Sequence, residues 1–294
     1  PRNQKRVFGR FYMYGAICGD IIGSRFERKN IKTEDFELFT RDCNFTDDTV
    51  MTLAVCDAIL YNDNPVSFFD YRKRAEEYAI RYKAYYSRYS DAGFGQMFSD
   101  WAKSERLYRQ RSYGNGGAMR VSSIGWAYGT FEEVLKQAEL SCSFTHADRK
   151  AVAGAKAVAG AVFLAKNHYS KKEIKLKAEK ITGWNFDFTL DEIRPEYSFF
   201  SETELSVPQA VVAFLEAENY EDTIRKAISI GGDSDTIACM AGGIAEAFYG
   251  EVPEYIADKA KFFLDAEMKR TISRFQKKYC EGVYYENTNG RSSE

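Results

Sequence analysis

ADRKAVAGAKAVAGAVFLAK, residues 147–166, is the stretch on which the fold class turns. Alanine recurs throughout it and is the strongest helix former. Gly154 and Gly160 remove side-chain bulk within that helix, so a neighbouring backbone can come close. Such a helix is expected at the centre of the molecule. Its longest small, apolar run, AVAGAVFLA at 157–165, falls far short of the ~20 residues that span a bilayer.

Outward from this segment the chain keeps a helical period. TVMTLAVCDAIL (49–60), SFFDYRKRAEEYAIRYKAYYS (67–87), FEEVLKQAELSC (131–142) and EDTIRKAISI (221–230) space their apolar residues three and four apart. KKEIKLKAEKI (171–181) reads as a charged, exposed helix. SVPQAVVAFLEA (206–217) opens with Ser206 as a cap and Pro208 in the first turn. TIACMAGGIAEAFYG (236–250) continues the pattern, and EYIADKAKFFLDAEMKRTISRFQKKY (254–279) reads as one long amphipathic helix. Alternation of the β kind is scarce, and FELFTRDCNFT (36–46) is the best short-strand or irregular candidate. With five prolines and no Ser/Gly linker, no domain boundary is visible. The expectation is an all-α, compact single domain over 13–294, preceded by a basic N-terminal extension or remnant at 1–12.

Composition narrows the function classes. The 294 residues are 45% hydrophobic and 29% charged, ordinary for a globular protein. A net charge of −2 gives no general attraction to nucleic acid. The most basic stretch, 72–88, is interleaved with Tyr and Ala and reads as a solvated helix face. Six cysteines form no CxxC pair, and residues 1–12 lack an apolar signal region. A reduced, cytoplasmic setting is expected, with no membrane partner.

Two acidic knots stand out. Thr46-Asp47-Asp48-Thr49 and Gly231-Gly232-Asp233-Ser234-Asp235-Thr236 each open an apolar helix, almost 190 residues apart. A single acid there would cap the helix. Neighbouring acids repel unless a cation lies between them. Two loops meeting in space would offer four carboxylates with hydroxyls, enough for a pair of Mg²⁺ or Mn²⁺ ions. Two unrelated capping clusters, or a calcium site, are the alternatives. Zn²⁺ would want His or Cys instead. Three other polar stretches accompany the knots. The Gly-rich loop Ser112 to Arg120 could cradle phosphate or simply turn. His146 in SFTH precedes the Ala-rich helix, where a lone His more often caps or hydrogen-bonds than catalyses. GAICGDIIGSRFE (15–27) places Asp20, read as structural, and Glu27, able to reach a cleft, around a Gly-rich turn.

Taken in order, GAICGDIIGSRFE, FTDDTVMTLAV, YGNGGAMRV, SFTHADR and GGDSDTIACMAGGIAEAFYG resemble the ADP-ribosylglycohydrolase family, over about residues 13–250. The resemblance implies a compact orthogonal helix bundle with a dinuclear metal cleft at its centre. Thr46, Asp47 and Asp48 would hold one Mg²⁺ or Mn²⁺, Asp233 and Thr236 the other, and Asp235 would contact both. Ser112, Tyr113, Gly114, Asn115, Gly116 and Met119 would form the ADP-ribose pocket, with His146 beside the phosphates. Ser229 stands where many members have Asn, and Ser122-Ser123 where some have Ala-Pro; neither position is expected to supply a ligand.

The implied reaction is hydrolysis at the anomeric carbon of the distal ribose of ADP-ribose. Glu27, or a metal-bound acid such as Asp47 or Asp235, would act as general base. The substrate would be an ADP-ribosylated protein side chain or O-acetyl-ADP-ribose, and GSRFE with YGNGGAMR looks more like members that cleave O-linkages. A monomer is expected. A non-catalytic ADP-ribose-binding module and a Mg²⁺-dependent phosphohydrolase are the competing readings.

Overall fold

Gly15, Gly19 and Gly23 recur every fourth residue and therefore share one side of a helix. The computed structural model, which describes residues 12–61 and 70–280, forms that helix as α1 (Tyr14–Gly23). There follow α2 (Asp47–Tyr61), α3 (Tyr71–Arg88), α4 (Gln96–Lys103), α5 (Ser122–Ala127), α6 (Phe131–Cys142), α7 (Arg149–Lys166), α8 (Lys171–Thr182), α9 (Leu190–Ile193), α10 (Val207–Glu216), α11 (Tyr220–Ser229), α12 (Ser234–Tyr249), α13 (Glu254–Lys261) and α14 (Ala266–Tyr279). Among the described residues there is no strand, only two isolated bridges, and 36–46 is irregular. The proposed extension, apart from Tyr12, and residues 67–69 of the third helical pattern lie outside the described residues.

The expected Gly-rich turn around Asp20 is instead the middle of α1. All ten residues of α1 are buried, so it shows no amphipathic period to announce it. Its glycines lie against α12. A Cβ on Gly19 would stand 2.1 Å from the Ala238 carbonyl oxygen, and one on Gly23 2.5 Å from Asp235 Cα. From the other side, a Cβ on Gly242 would meet the Gly15 carbonyl oxygen at 2.3 Å. Only glycine permits this approach, and it brings Asp20 of α1 beside the start of α12. The same pair is fastened at its far end by Glu246, a fully buried acid of α12 that accepts the Tyr14 N–H at 3.0 Å. Burial pushes its carboxyl up to about 8.

The Ala-rich stretch is α7, and it packs on α5, α6, α8 and α12, as a central helix should. Close backbone approach there comes from Gly125 of α5, whose Cβ would meet the Ala159 carbonyl oxygen at 2.7 Å. Gly154 makes room for the Thr203 side chain instead. Local caps set several boundaries. Asp148 accepts from Lys150 N ahead of α7, and Ser170 with Glu173 forms a capping box on the exposed α8. Asp265 caps α14 by accepting from Glu267 and Met268, which splits the expected single C-terminal helix in two. Ser206 does not cap α10: its hydroxyl donates to the Glu202 carbonyl at 2.9 Å and accepts from Asn115 at 3.2 Å. Pro208 does lie in the first turn. All six cysteines are buried free thiols. No helix among the described residues is long and apolar enough to cross a membrane.

Candidate active site

The two acidic knots meet. Thr236 Oγ1 at the start of α12 donates to Asp48 Oδ2 at the start of α2, 3.0 Å away. Asp20, Asp48 and Asp235 each present a carboxylate oxygen within 4.8 Å of the other two, and all three residues are buried. Asp233 occupies the N-cap position of α12 but caps nothing; its Oδ2 accepts from Asn115 Nδ2 at 2.7 Å. The two knots are therefore one constellation rather than two separate caps. Consecutive left-handed glycines, Gly231 (φ 73°) and Gly232 (φ 78°), bend the chain into it. Asn30 then clasps Gly232, accepting its N–H at 2.8 Å and donating to its carbonyl at 2.9 Å.

Asp20 organises the α2 side. Its Oδ1 accepts from Thr46 Oγ1 at 2.6 Å. Its Oδ2 accepts the Thr46 N–H at 2.9 Å, the Thr49 N–H at 3.1 Å and the Thr49 hydroxyl. Four donors match the acceptor capacity of one carboxylate. The structural reading of Asp20 is thus sound, but its closeness to Asp48 and Asp235 is invisible in sequence. Asp48 Oδ1, by contrast, is buried with no hydrogen-bond partner.

Electrostatics oppose this arrangement without a counter-charge. Burial first, then the charges of Asp20 and Asp233, raise the Asp47 carboxyl to about 8. Asp48 and Asp235 are pushed well above the usual carboxylate range by burial and then by neighbouring acids. Glu27, half-buried, is raised by burial and then by Asp233. Clustered hard oxygens with an orphaned buried carboxylate oxygen fit divalent cations of the Mg²⁺ or Mn²⁺ type.

The acids floor a cleft of about 400 Å³, lined also by Glu27, the loop from Ser112 to Gly116, Met119 and His146. The predicted residues thus share one cavity. Asn115 serves it indirectly, since its amide nitrogen is committed to Asp233 and Ser206. Tyr113 lines the mouth at 57% exposure. Ser229, buried beyond the knot, pairs with Arg194 and the Lys226 carbonyl and does not line the cleft. Sequence reasoning misses the further lining residues Gly93 to Phe98, with Phe199 and Ser201. Gly93 sits at φ 96°, where a Cβ would lie 3.7 Å from Asp47 Oδ1. GFGQ at 93–96 is the signal that could have found it, a turn before a short amphipathic helix.

His146 is buried against the loop: a Cβ on Gly116 would stand 2.9 Å from its Nε2. Its Nδ1 pairs with Thr145 Oγ1 at 2.9 Å. Burial, then the Arg120 charge, holds its pKa well below the ordinary value, so the ring is neutral.

A family model described as ADP-ribosylglycohydrolase matches residues 2–282. The chain is 30% identical over 316 residues to ADP-ribosylhydrolase ARH3 of Homo sapiens, covering 82% of this chain and 85% of that protein. The Mus musculus protein of the same name is 31% identical over 314 residues, with 82% and 84% covered. A solved structure described as an ADP-ribosylglycohydrolase-related protein complex superposes with a TM-score of 0.61 at 21% identity, covering 90% of this chain and 95% of that one. At that identity the likeness speaks for the fold alone. The chain belongs to the ADP-ribosylglycohydrolase family of glycosidic-bond hydrolases.

Proposed function

We propose that this enzyme uses divalent cations to hydrolyse the glycosidic bond at the distal ribose of ADP-ribose, releasing ADP-ribose from an O-linked carrier, a modified side chain or an acetyl ester. The observation that supports it most is the meeting of Asp47, Asp48, Asp233 and Asp235 in one cleft that the Gly-rich loop also lines, with Asp20 buried close to Asp48 and Asp235. The preference for an O-linkage rests on the likeness of GSRFE and YGNGGAMR to members of that kind.

Thr46, Asp47, Asp48, Asp233, Asp235 and Thr236 would hold two Mg²⁺ or Mn²⁺ ions. When bound, the cations supply Lewis acidity at the ribose and its attacking water. Asn115 holds Asp233 in place, and Thr236 does the same for Asp48. The loop Ser112–Gly116 receives the diphosphate with its backbone, beside His146. Glu27 lines the cleft, and burial, then the Asp233 charge, raises its pKa, which favours proton uptake by a general base. The leaving bond breaks with oxocarbenium-like charge on the ribose, next to the acids.

The test is incubation with serine-linked ADP-ribose, arginine-linked ADP-ribose and O-acetyl-ADP-ribose, with Mg²⁺ or with EDTA. ADP-ribose should appear in the Mg²⁺ samples, and the O-linked substrates should turn over faster. Asp47→Ala and Asp235→Ala should each lose at least about 100-fold, beyond what second-sphere changes cause. Turnover that survives EDTA and both substitutions would refute the reading. Release of AMP would indicate attack on the diphosphate instead.

A further inference from the structure

Behind the Gly-rich loop lies a buried cation that the proposed mechanism does not use. Arg120 is fully buried, and no ion pair of it is found among the described residues. Its guanidinium carbon lies 4.1 Å from the centroid of the Tyr82 ring. Its Nη2 donates to the Ser141 carbonyl at 3.0 Å and to Thr145 Oγ1 at 2.7 Å, while its Nε is buried without a partner.

Arginine only donates, so the Thr145 oxygen is an acceptor on that side. The one proton of the Thr145 hydroxyl is then left to point the other way. The neighbour there is His146 Nδ1, at 2.9 Å, and no other acceptor for this hydroxyl occurs among the described residues. A nitrogen that accepts carries no proton, so the ring proton sits on Nε2. Among the described residues Nε2 has no hydrogen-bond partner, and it belongs to the ring edge that packs on Gly116 at the cleft wall.

We infer that Arg120 and Thr145 are positioning residues that fix His146 as the Nε2–H tautomer, making its free nitrogen a hydrogen-bond donor to a phosphate oxygen in the cleft. The chain of donors runs Arg120 to Thr145 to His146 to ligand. With the opposite tautomer, Nε2 would present a lone pair to an anion and repel it. The phosphate-bearing ligand rests on the ADP-ribose reading above; the tautomer does not.

Long-range ¹H–¹⁵N NMR of the full chain with Mg²⁺ reads the tautomer directly. The protein has two histidines, and His168→Asn, a substitution suited to its φ of 64°, identifies the His146 signals. The expected result is a protonated Nε2 and an unprotonated Nδ1, with the Nε2 signal moving when ADP-ribose is added. Thr145→Val should scramble the tautomer and weaken ADP-ribose binding about tenfold, the loss of one hydrogen bond to a charged group. Thr145→Ser, which keeps the hydroxyl, should restore both. A protonated Nδ1 in the wild type overturns the inference, as does Thr145→Val with unchanged tautomer. If Thr145→Val fails to fold, the wild-type spectrum still decides. A wild type showing the expected tautomer but not binding ADP-ribose would sink the substrate reading and leave the tautomer assignment standing.

Discussion

Asp20 shows how one residue can govern a site without facing the substrate. Its carboxylate accepts from both Thr46 and Thr49, and the Thr46 hydroxyl lies nearer to it, at 2.6 Å, than to Asp48 Oδ2, at 3.4 Å. Asp20→Asn replaces an acceptor by a donor there, leaving one threonine unmatched. Mn²⁺ affinity by calorimetry should fall about 10- to 100-fold, the usual range for outer-shell partners of a metal site. An unchanged affinity would show that Thr46 needs no such orientation. Asp47 gives a second test, with a sign that follows from its raised pKa. In the metal-free protein its carboxyl stands at about 8 against an ordinary 3.8. Its contribution to stability is therefore full below about pH 4 and is lost as pH rises through about 8. Against Asp47→Asn, metal-free wild type should lose melting temperature steadily across that interval. Cation binding must ionise the same acids, so it should release protons, detectable as a buffer-dependent binding enthalpy.

At the scale of elements, the contact that matters most is α1 on α12. The two helices touch backbone to backbone because Gly15, Gly19, Gly23 and Gly242 carry no Cβ. Gly19→Ala would drive a methyl into the Ala238 carbonyl, 2.1 Å away, and neither backbone can yield locally. A destabilisation of about 3 kcal/mol or more by urea unfolding is expected, together with weaker cation binding, since the acids ride on these helices. Gly129→Ala is the matched control, with nothing within 4 Å of the added methyl; it should change stability by no more than about 0.5 kcal/mol. Equal effects from the two would remove the packing explanation. Helices with one exposed face, such as α6 and α8, are legible in the chain because polar and apolar residues alternate at helical period. α1 is buried on every side, so its glycines look like a turn, and the break before α14 depends on one capping acid inside a continuous amphipathic pattern.

For the whole molecule, the acid cluster is a place where folding and ligand binding oppose each other. Packing gathers carboxylates that repel, and a bound cation offsets that repulsion. Mg²⁺ or Mn²⁺ at 100 times its dissociation constant should stabilise the fold by about 2.7 kcal/mol by mass action. EDTA should lower the melting temperature of protein purified with the ion. Asp48→Asn should reverse the pattern: a metal-free protein that melts higher than metal-free wild type, because a like charge is gone, and that gains nothing from added Mg²⁺. A metal-free melting temperature below that of wild type would mean that Asp48 is held by other contacts.

The amino-acid sequence by itself determined the helical class, the two oxygen-rich knots and the kind of cation their hard ligands suit. Those properties depend on local periodicity and side-chain chemistry, which neighbouring residues in the chain already express. The tertiary structure alone decided which acids face one another. Asp20 joins Asp48 and Asp235, Asp233 turns to Asn115, and Gly93 to Phe98 help to line the cleft. These partners come from segments as far as 215 residues apart in number, Asp20 and Asp235. Their distances are set by how closely helices pack, and that in turn by glycines whose role shows only when the opposing backbone is in place.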